Sequence, residues 1–331
     1  MTWTKTTTTE TKTVTEQKAG NTSIVSKTQK TTTTFKKEDV WRPADPEVAE
    51  HYFPVTSVNY PRTFEDDVAL SRTQRQHVLL RVAFGHDVVA PAAREIVLNP
   101  DAKVLEVGVS DGYWIDSLYT EGGAKAEFYG VDNNAKAFEK GTKAGAKLQV
   151  ADVVKGLPYE DNTFDYVHQR ILISGIKVDE WPGVVAELVR VTKPGGWIEL
   201  VELDSKHYNT GPETRKITDP IGGFSAQSKT DDALSDSLTG YLTSVGDKIT
   251  NVETKIVSLP MYWGEGSVAD LGKRHGWDRE AVYLKYADAA LPILGWTKEQ
   301  FLEQLQKAVN EWPQTRAFNN WVAVYGQVVK K

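Results

Sequence analysis

Residues 104–114 read VLEVGVSDGYW and decide the fold class. An apolar run ends in an acid, a glycine-containing turn follows, and a segment with helical potential comes next. This order begins a doubly wound α/β sheet whose first loop lets a nucleoside cofactor approach the backbone. The next acid at a strand end is Asp132, which stands 20 residues after Gly112, a spacing suited to ribose hydroxyls. Ser110 occupies the place where a second glycine is expected, so the motif alone is a weak signal.

Later segments make the pattern more specific. Asp152 ends a third strand-like segment, residues 156–170 read GLPYEDNTFDYVHQR, and residues 188–200 read LVRVTKPGGWIEL. With three strands that each end in an acid, a Phe-Asp strand, and Pro-Gly-Gly before a fifth strand, the chain resembles class I S-adenosylmethionine-dependent methyltransferases. It is most similar to the fungal group that includes regulators of secondary metabolism. The resemblance runs from about Tyr60 to the C-terminus, and a nicotinamide dehydrogenase rarely shows this order.

The resemblance implies an α/β, Rossmann-like class I methyltransferase fold. Its sheet has seven mostly parallel strands, the last of them antiparallel, and a helical cap lies over the carboxyl edge. We expect three regions: a Thr-rich arm (1–37), a connector with N-terminal helices (38–100), and the methyltransferase-fold domain (101–331) with a helical insert at about 267–309. The apolar periodicity predicts strands near 103–107, 127–131, 147–151, 164–168, 196–202, 251–259 and 317–328, and helices at 64–84, 90–98, 112–120, 134–144, 179–192 and within 212–246.

Composition narrows the functional classes. The 331 residues carry a net charge of −6, so general attraction to nucleic acid or membranes is not implied. The absence of cysteine excludes disulfides, thiolate metal sites and thiol nucleophiles. No stretch approaches 18 apolar residues, and the N-terminus lacks the apolar core of a signal peptide. We therefore expect a cytoplasmic or nuclear protein with no metal.

The first 37 residues differ from the rest. Fifteen of the first 34 are threonine, and seven lysines against Glu10 and Glu16 give residues 1–37 a net charge of +5, which leaves −11 on the remainder. One interpretation is a disordered, solvated leader. The alternative is an extended arm, since threonine favours strands and residues 11–15 alternate as a strand does. Such an arm could pair with a sheet edge on a neighbouring subunit and produce a homo-oligomer.

The family resemblance assigns the candidate cofactor residues. Glu106 would accept a hydrogen bond near the methionine or ribose end. The loop 108–112 would let backbone N–H groups approach the cofactor, and Asp132 would bind the ribose hydroxyls. Asp152 and Val153 would border the adenine. The complete set for S-adenosyl-L-methionine is Glu106, Gly108, Ser110, Gly112, Asp132, Asp152 and Val153.

His168, just past the predicted fourth strand, is the catalytic candidate, because such enzymes often place a substrate-facing residue there. Each assignment has a structural alternative. Asp132 could cap the following helix, Asp152 could be a turn residue, and His168 could be a hydrogen-bonded histidine at a strand end. Gln76-His77 resembles a pair found near the cofactor pocket of the family, although a histidine satisfied within its helix is equally compatible.

The glycine loop departs from the family pattern at three positions. Ser110 brings a Cβ close to the cofactor, Asp111 adds negative charge, and Tyr113 adds bulk beside the methionine tail. Two functions therefore stay open. The first is methyl transfer to an unknown acceptor, expected to be a small molecule. The second is a non-catalytic methyltransferase-fold protein that self-assembles through its arm. A dinucleotide-dependent oxidoreductase is the remaining class.

Overall fold

The computed structural model describes residues 3–13, 18–19, 22–23, 27–37, 70–138 and 141–329. The strands are β1 (Trp3–Thr13), β2 (Lys18–Ala19), β3 (Thr22–Ser23), β4 (Lys27–Lys37), β5 (Lys103–Val107), β6 (Glu127–Asp132), β7 (Lys147–Val150), β8 (Phe164–Arg170), β9 (Thr192–Leu203), β10 (Ile249–Pro260) and β11 (Phe318–Val328). The helices are α1 (Arg72–Phe84), α2 (Pro91–Leu98), α3 (Tyr113–Thr120), α4 (Trp181–Val191), α5 (Pro212–Ser228), α6 (Leu234–Thr243), α7 (Ser267–Leu294) and α8 (Lys298–Thr315).

Seven strands form the predicted sheet in the order β7-β6-β5-β8-β9-β11-β10. The five strands from β7 to β9 in this order pair in parallel, and β11 pairs antiparallel with both β9 and β10. The seven-stranded, mostly parallel sheet with an antiparallel last strand is therefore confirmed. The carboxyl ends of β5, β6 and β8 meet at one edge, where ligands bind in open α/β sheets.

Helices cover both faces of the sheet, as the uninterrupted apolar strands require. One core contains residues of α1, α2 and α3, and the other contains residues of α4 and α6. Ser71 caps the N-terminus of α1 in a capping box with Gln74, which fixes where the helix starts beside the sheet. The three polar-faced helices α5, α7 and α8 form a further apolar cluster around Phe301. The helices predicted within 267–309 are thus present as α7 and α8, and α7 also contacts α1 and β10.

The predicted helix at 134–144 is wrong. Among the described residues of this segment, 134–138 and 141–144, the only helix is a short 3-10 helix, Ala135–Phe138, and residues 141–146 run as a loop beside α3. The Asp116 carboxylate accepts a hydrogen bond from the Lys143 N–H (2.6 Å), and Gly141 and Gly145 take positive φ values of 60° and 67°. The hydrogen bond and the two positive φ angles stabilise a loop, and they are incompatible with a regular α-helix. The predicted helix 64–84 begins at Arg72, while its residues 64–69 and the connector 38–62 lie outside the described residues.

The arm adds two strands to the same sheet, which then has nine strands in the described part of the chain. β1 pairs with β10 over four residues, Trp3↔Ile256 to Thr6↔Glu253, and with β4 over its whole length. The expectation that the arm reaches a neighbouring subunit is therefore corrected, because it pairs with the edge strand of its own domain. A tethered segment finds that edge at high effective concentration, which favours pairing within the chain. Residues 14–15 of the predicted alternation lie outside the described residues.

Candidate functional site at the carboxyl edge of the sheet

The loop after β5 turns on three residues with positive φ. Gly108, Ser110 and Gly112 have φ values of 78°, 48° and 72°. The Gly108 N–H donates to the Val131 carbonyl (2.8 Å), which ties the loop to β6. A Cβ at Gly108 would lie 2.7 Å from Leu172 Cδ2, so glycine is needed both for its backbone angle and for its lack of a side chain.

Asp132 stands at the end of β6, directly beside this loop. Its Oδ2 accepts a hydrogen bond from the Ser110 N–H (3.0 Å), and its Oδ1 accepts one from the Asn134 N–H (2.9 Å). The carboxylate is thus fixed in place, and each oxygen keeps a lone pair for a further donor. The structure brings together Gly108, Ser110 and Asp132, as the sequence predicted.

Asp152 and Val153 follow β7 at the same edge. The Asp152 Oδ1 accepts from the Val154 N–H (3.1 Å), and its Oδ2 lies 3.1 Å from Lys155 Nζ. Asp152 therefore caps the short 3-10 helix Val153–Lys155, the structural role left open by the sequence. The Ala151 N–H donates to the Asp132 carbonyl (3.0 Å), so this turn adjoins the ribose candidate.

Glu106 is buried, with 3% of its surface exposed. Its Oε2 has no hydrogen-bond partner within the described residues. Burial raises the pKa of the Glu106 carboxyl from 4.5 to about 8, and the nearby Arg170 opposes this rise. Glu106 is therefore mostly protonated near neutral pH, when no ligand is considered.

The His168 side chain is buried in the core. β8 continues to Arg170, so His168 lies within the strand and not past it. Its ring is 1% exposed and stacks on Trp114 with the ring centroids 3.9 Å apart. Burial and, to a lesser degree, Arg170 hold the pKa of His168 well below its usual value, so the ring is neutral. The catalytic prediction for His168 is corrected, because a side chain packed between the sheet and α3 cannot reach an acceptor.

The position expected for His168 is taken by Arg170, which sequence reasoning missed. Arg170 Nη1 lies 3.1 Å from His77 Nδ1, and His77 Nε2 lies 3.1 Å from Asp87 Oδ1. The second contact is close, but the two atoms form no hydrogen bond with each other. These partners assign the tautomer in which Nδ1 accepts from Arg170 and Nε2 carries the proton. The sequence could have indicated Arg170, because it is a charged residue at the end of the fourth predicted strand.

The remaining loop departures have identifiable partners. The Asp111 Oδ2 accepts from the Thr73 hydroxyl (3.2 Å) of α1, and its Oδ1 is 3.4 Å from the Tyr113 nitrogen. The Tyr113 ring packs edge-on against His77 with the centroids 5.1 Å apart. Asp111 and Tyr113 therefore link the loop to α1.

Among the cavities of the described residues, one is large and one is very small, and the large one does not lie beside the glycine loop. The larger, about 460 Å³, is open and lies at the amino ends of the strands, lined by residues such as Lys103, Tyr159 and Lys193. A much smaller cavity of about 10 Å³ is lined by Asp87, His168 and Arg170 among others. The glycine loop lies at the opposite edge of the sheet from the larger cavity.

The residues at this edge fit S-adenosylmethionine. Gly108 and Gly112 give the loop its positive φ angles, Asp132 offers oriented carboxylate oxygens, and Glu106 has an unpartnered buried oxygen. Within the described ranges, no group of three or more histidine, aspartate and glutamate side chains is arranged to hold a metal ion. Among the described helices, none combines the length and apolar character needed to cross a bilayer.

Comparison with known proteins agrees with this geometry. A family model described as a methyltransferase domain matches residues 104–196. N-methyltransferase verN of Clonostachys rogersoniana is 24% identical over 261 residues, 78% of this chain and 89% of that protein. N-methyltransferase sirN of Leptosphaeria maculans is 29% identical over 141 residues, 41% of this chain and 47% of that protein. The second match thus spans about half of the relative's length.

Among solved structures, phosphoethanolamine N-methyltransferase 2 of Haemonchus contortus in complex with S-adenosyl-L-methionine has a TM-score of 0.45 at 16% identity. The match covers 81% of this chain and 59% of that one. The glycine loop and the strand order agree with a methyltransferase domain over residues 104–196, and the sequence matches are to fungal proteins named N-methyltransferase.

Proposed function

We propose that the protein binds S-adenosylmethionine over the loop 108–112 and transfers its methyl group to a nitrogen of a small-molecule acceptor. The single observation that carries cofactor binding is the pairing of Asp132 with the Ser110 N–H, which fixes a carboxylate beside a loop of positive φ. The names of the relatives verN and sirN favour nitrogen as the accepting atom.

When bound, S-adenosylmethionine supplies an electrophilic methyl group, and the protein's task is to position the partners and exclude water. Asp132 would bind the ribose hydroxyls. Asp152 and Val153 would border the adenine, and Glu106 would face the amino-acid end. His168 supports this edge from below through its stack on Trp114.

Calorimetric titration with S-adenosylhomocysteine tests cofactor binding. Asp132→Ala should weaken binding by about 1.5–3 kcal/mol, the range for a hydrogen bond to a charged group. Asp165→Ala is the matched control, because Asp165 also accepts a backbone N–H (Lys103, 2.8 Å) but at the amino edge. Equal affinities for the wild type and D132A would show that Asp132 is not the ribose ligand.

The acceptor atom needs a separate test. A panel of matched amines, alcohols and thiols, incubated with methyl-labelled S-adenosylmethionine, should yield label only in the amines. Label in oxygen or sulfur compounds would overturn the choice of nitrogen. Tight cofactor binding without transfer to any class would favour the non-catalytic alternative.

A further inference from the structure

Arg170 is the last residue of β8 and lies beside the glycine loop. Gln169 pairs with Val107 across β8 and β5, so Arg170 stands opposite Gly108, the first glycine of the loop. The guanidinium contacts His77, and the ring of His77 contacts Tyr113 at the start of α3. Arg170 is thus held between the glycine loop and α1.

The guanidinium is oriented by a neutral partner. His77 is 2% exposed, and burial, the largest effect, lowers its pKa, so its Nδ1 lone pair is available to accept from Arg170. Asp87 stands on the other side of the ring. This chain of contacts fixes one nitrogen of Arg170 and leaves its charge without a direct counterion.

No described carboxylate oxygen lies within 4.0 Å of Arg170, the limit for an ion pair. Glu106, Asp87 and Asp111 act on its charge only from a greater distance. A partly buried guanidinium without direct pairing is costly unless an anion reaches it. Its planar fork of N–H groups matches a carboxylate, which it can bind through two parallel hydrogen bonds.

We propose that Arg170 binds the carboxylate of the cofactor's methionine moiety. This assignment rests on the proposed function. It also accounts for Asp111, whose negative charge in the loop would otherwise repel that carboxylate. Arg170 supplies the opposite charge beside Asp111, while Glu106 remains for the ammonium group of the same amino acid.

Two ligands separate this contact from adenosine recognition. S-adenosylhomocysteine carries the amino-acid carboxylate, and 5′-methylthioadenosine lacks it. Arg170→Gln should weaken S-adenosylhomocysteine binding by about ten- to a hundredfold, the effect of losing a charged hydrogen bond, and leave 5′-methylthioadenosine binding unchanged. Arg170→Lys keeps the charge but not the fork, so its loss should be smaller and equally selective.

Arg215→Gln is the control for net charge, because Arg215 is exposed on α5 and its side chain donates only to the Thr210 carbonyl among the described contacts. Circular dichroism and the thermal midpoint verify folding, and if R170Q does not fold, the affinity ratio in R170K decides. Unchanged S-adenosylhomocysteine binding, or equal weakening of both ligands in a folded variant, would overturn the assignment to Arg170. A wild-type protein that binds neither ligand would instead overturn the proposed function, and the assignment with it.

Discussion

Replacing Glu106 with glutamine should change the free energy of unfolding in a pH-dependent way. The difference between E106Q and the wild type should shift in favour of E106Q as the pH rises. Burial raises the pKa of Glu106 from 4.5 to about 8 in the folded chain. A raised pKa means that the folded state holds a proton which the unfolded state releases. Wild-type stability from this group is therefore complete below pH 4.5 and declines as the pH rises towards 8. Between about pH 5.5 and about pH 8 the loss amounts to about 3 kcal/mol.

Glutamine is neutral throughout, so the free energy of unfolding of E106Q minus that of the wild type should increase by about 3 kcal/mol across this interval. Urea titrations followed by tryptophan fluorescence at the two pH values measure it. Glu202, with its pKa raised to about 8, and Glu199, raised to about 6, titrate in both proteins and cancel. A difference between the two proteins that is the same at both pH values would refute a buried, protonated Glu106.

Three further predictions concern the loop, the buried histidine and the arm. Gly108→Ala should cost about 1–3 kcal/mol of stability from its positive φ and its contact with Leu172, and Leu172→Ala in the same chain should recover part of it. Additive costs in urea titrations would contradict that contact. His168→Gln should lower the thermal midpoint yet keep S-adenosylhomocysteine affinity within about threefold, as calorimetry can check, because the His168 ring is buried against Trp114. Deleting residues 1–37 should leave the number of subunits unchanged in sedimentation, since β1 pairs within its own chain; a smaller assembly would count against this pairing.

The sequence was sufficient to predict the sheet and the meeting of the glycine loop with Asp132 at one of its edges. Three strand–acid units fix the order of β5, β6 and β7, and the glycine loop and Asp132 meet because parallel strands end at one edge. Local patterns were less reliable where tertiary contacts compete. The segment 134–144 has helical spacing, yet Asp116 binds the backbone of the following loop and prevents the helix.

The direction of side chains on β8 could not be predicted. A strand buried on both faces lacks the alternation that separates pocket-facing from core-facing residues. His168 and Arg170 share one face of β8, since they are two residues apart, but Trp114 covers only the first. His77 and Asp87 are remote in sequence from Arg170, so only the fold shows that they orient it.

The buried acid Glu199 costs stability, and it also fixes the position of the segment before α2. The Glu199 carboxylate, which is fully buried, accepts the N–H groups of Val89 (3.1 Å) and Ala90 (2.7 Å) just before α2. These amides oppose the burial that raises the pKa of Glu199 to about 6. The same short segment carries Asp87, which contacts His77, and His77 in turn contacts Arg170. Glu199 therefore anchors the series of contacts, from Asp87 through His77, that orients Arg170. The burial of its carboxylate costs stability, but it also fixes the geometry of this edge of the sheet.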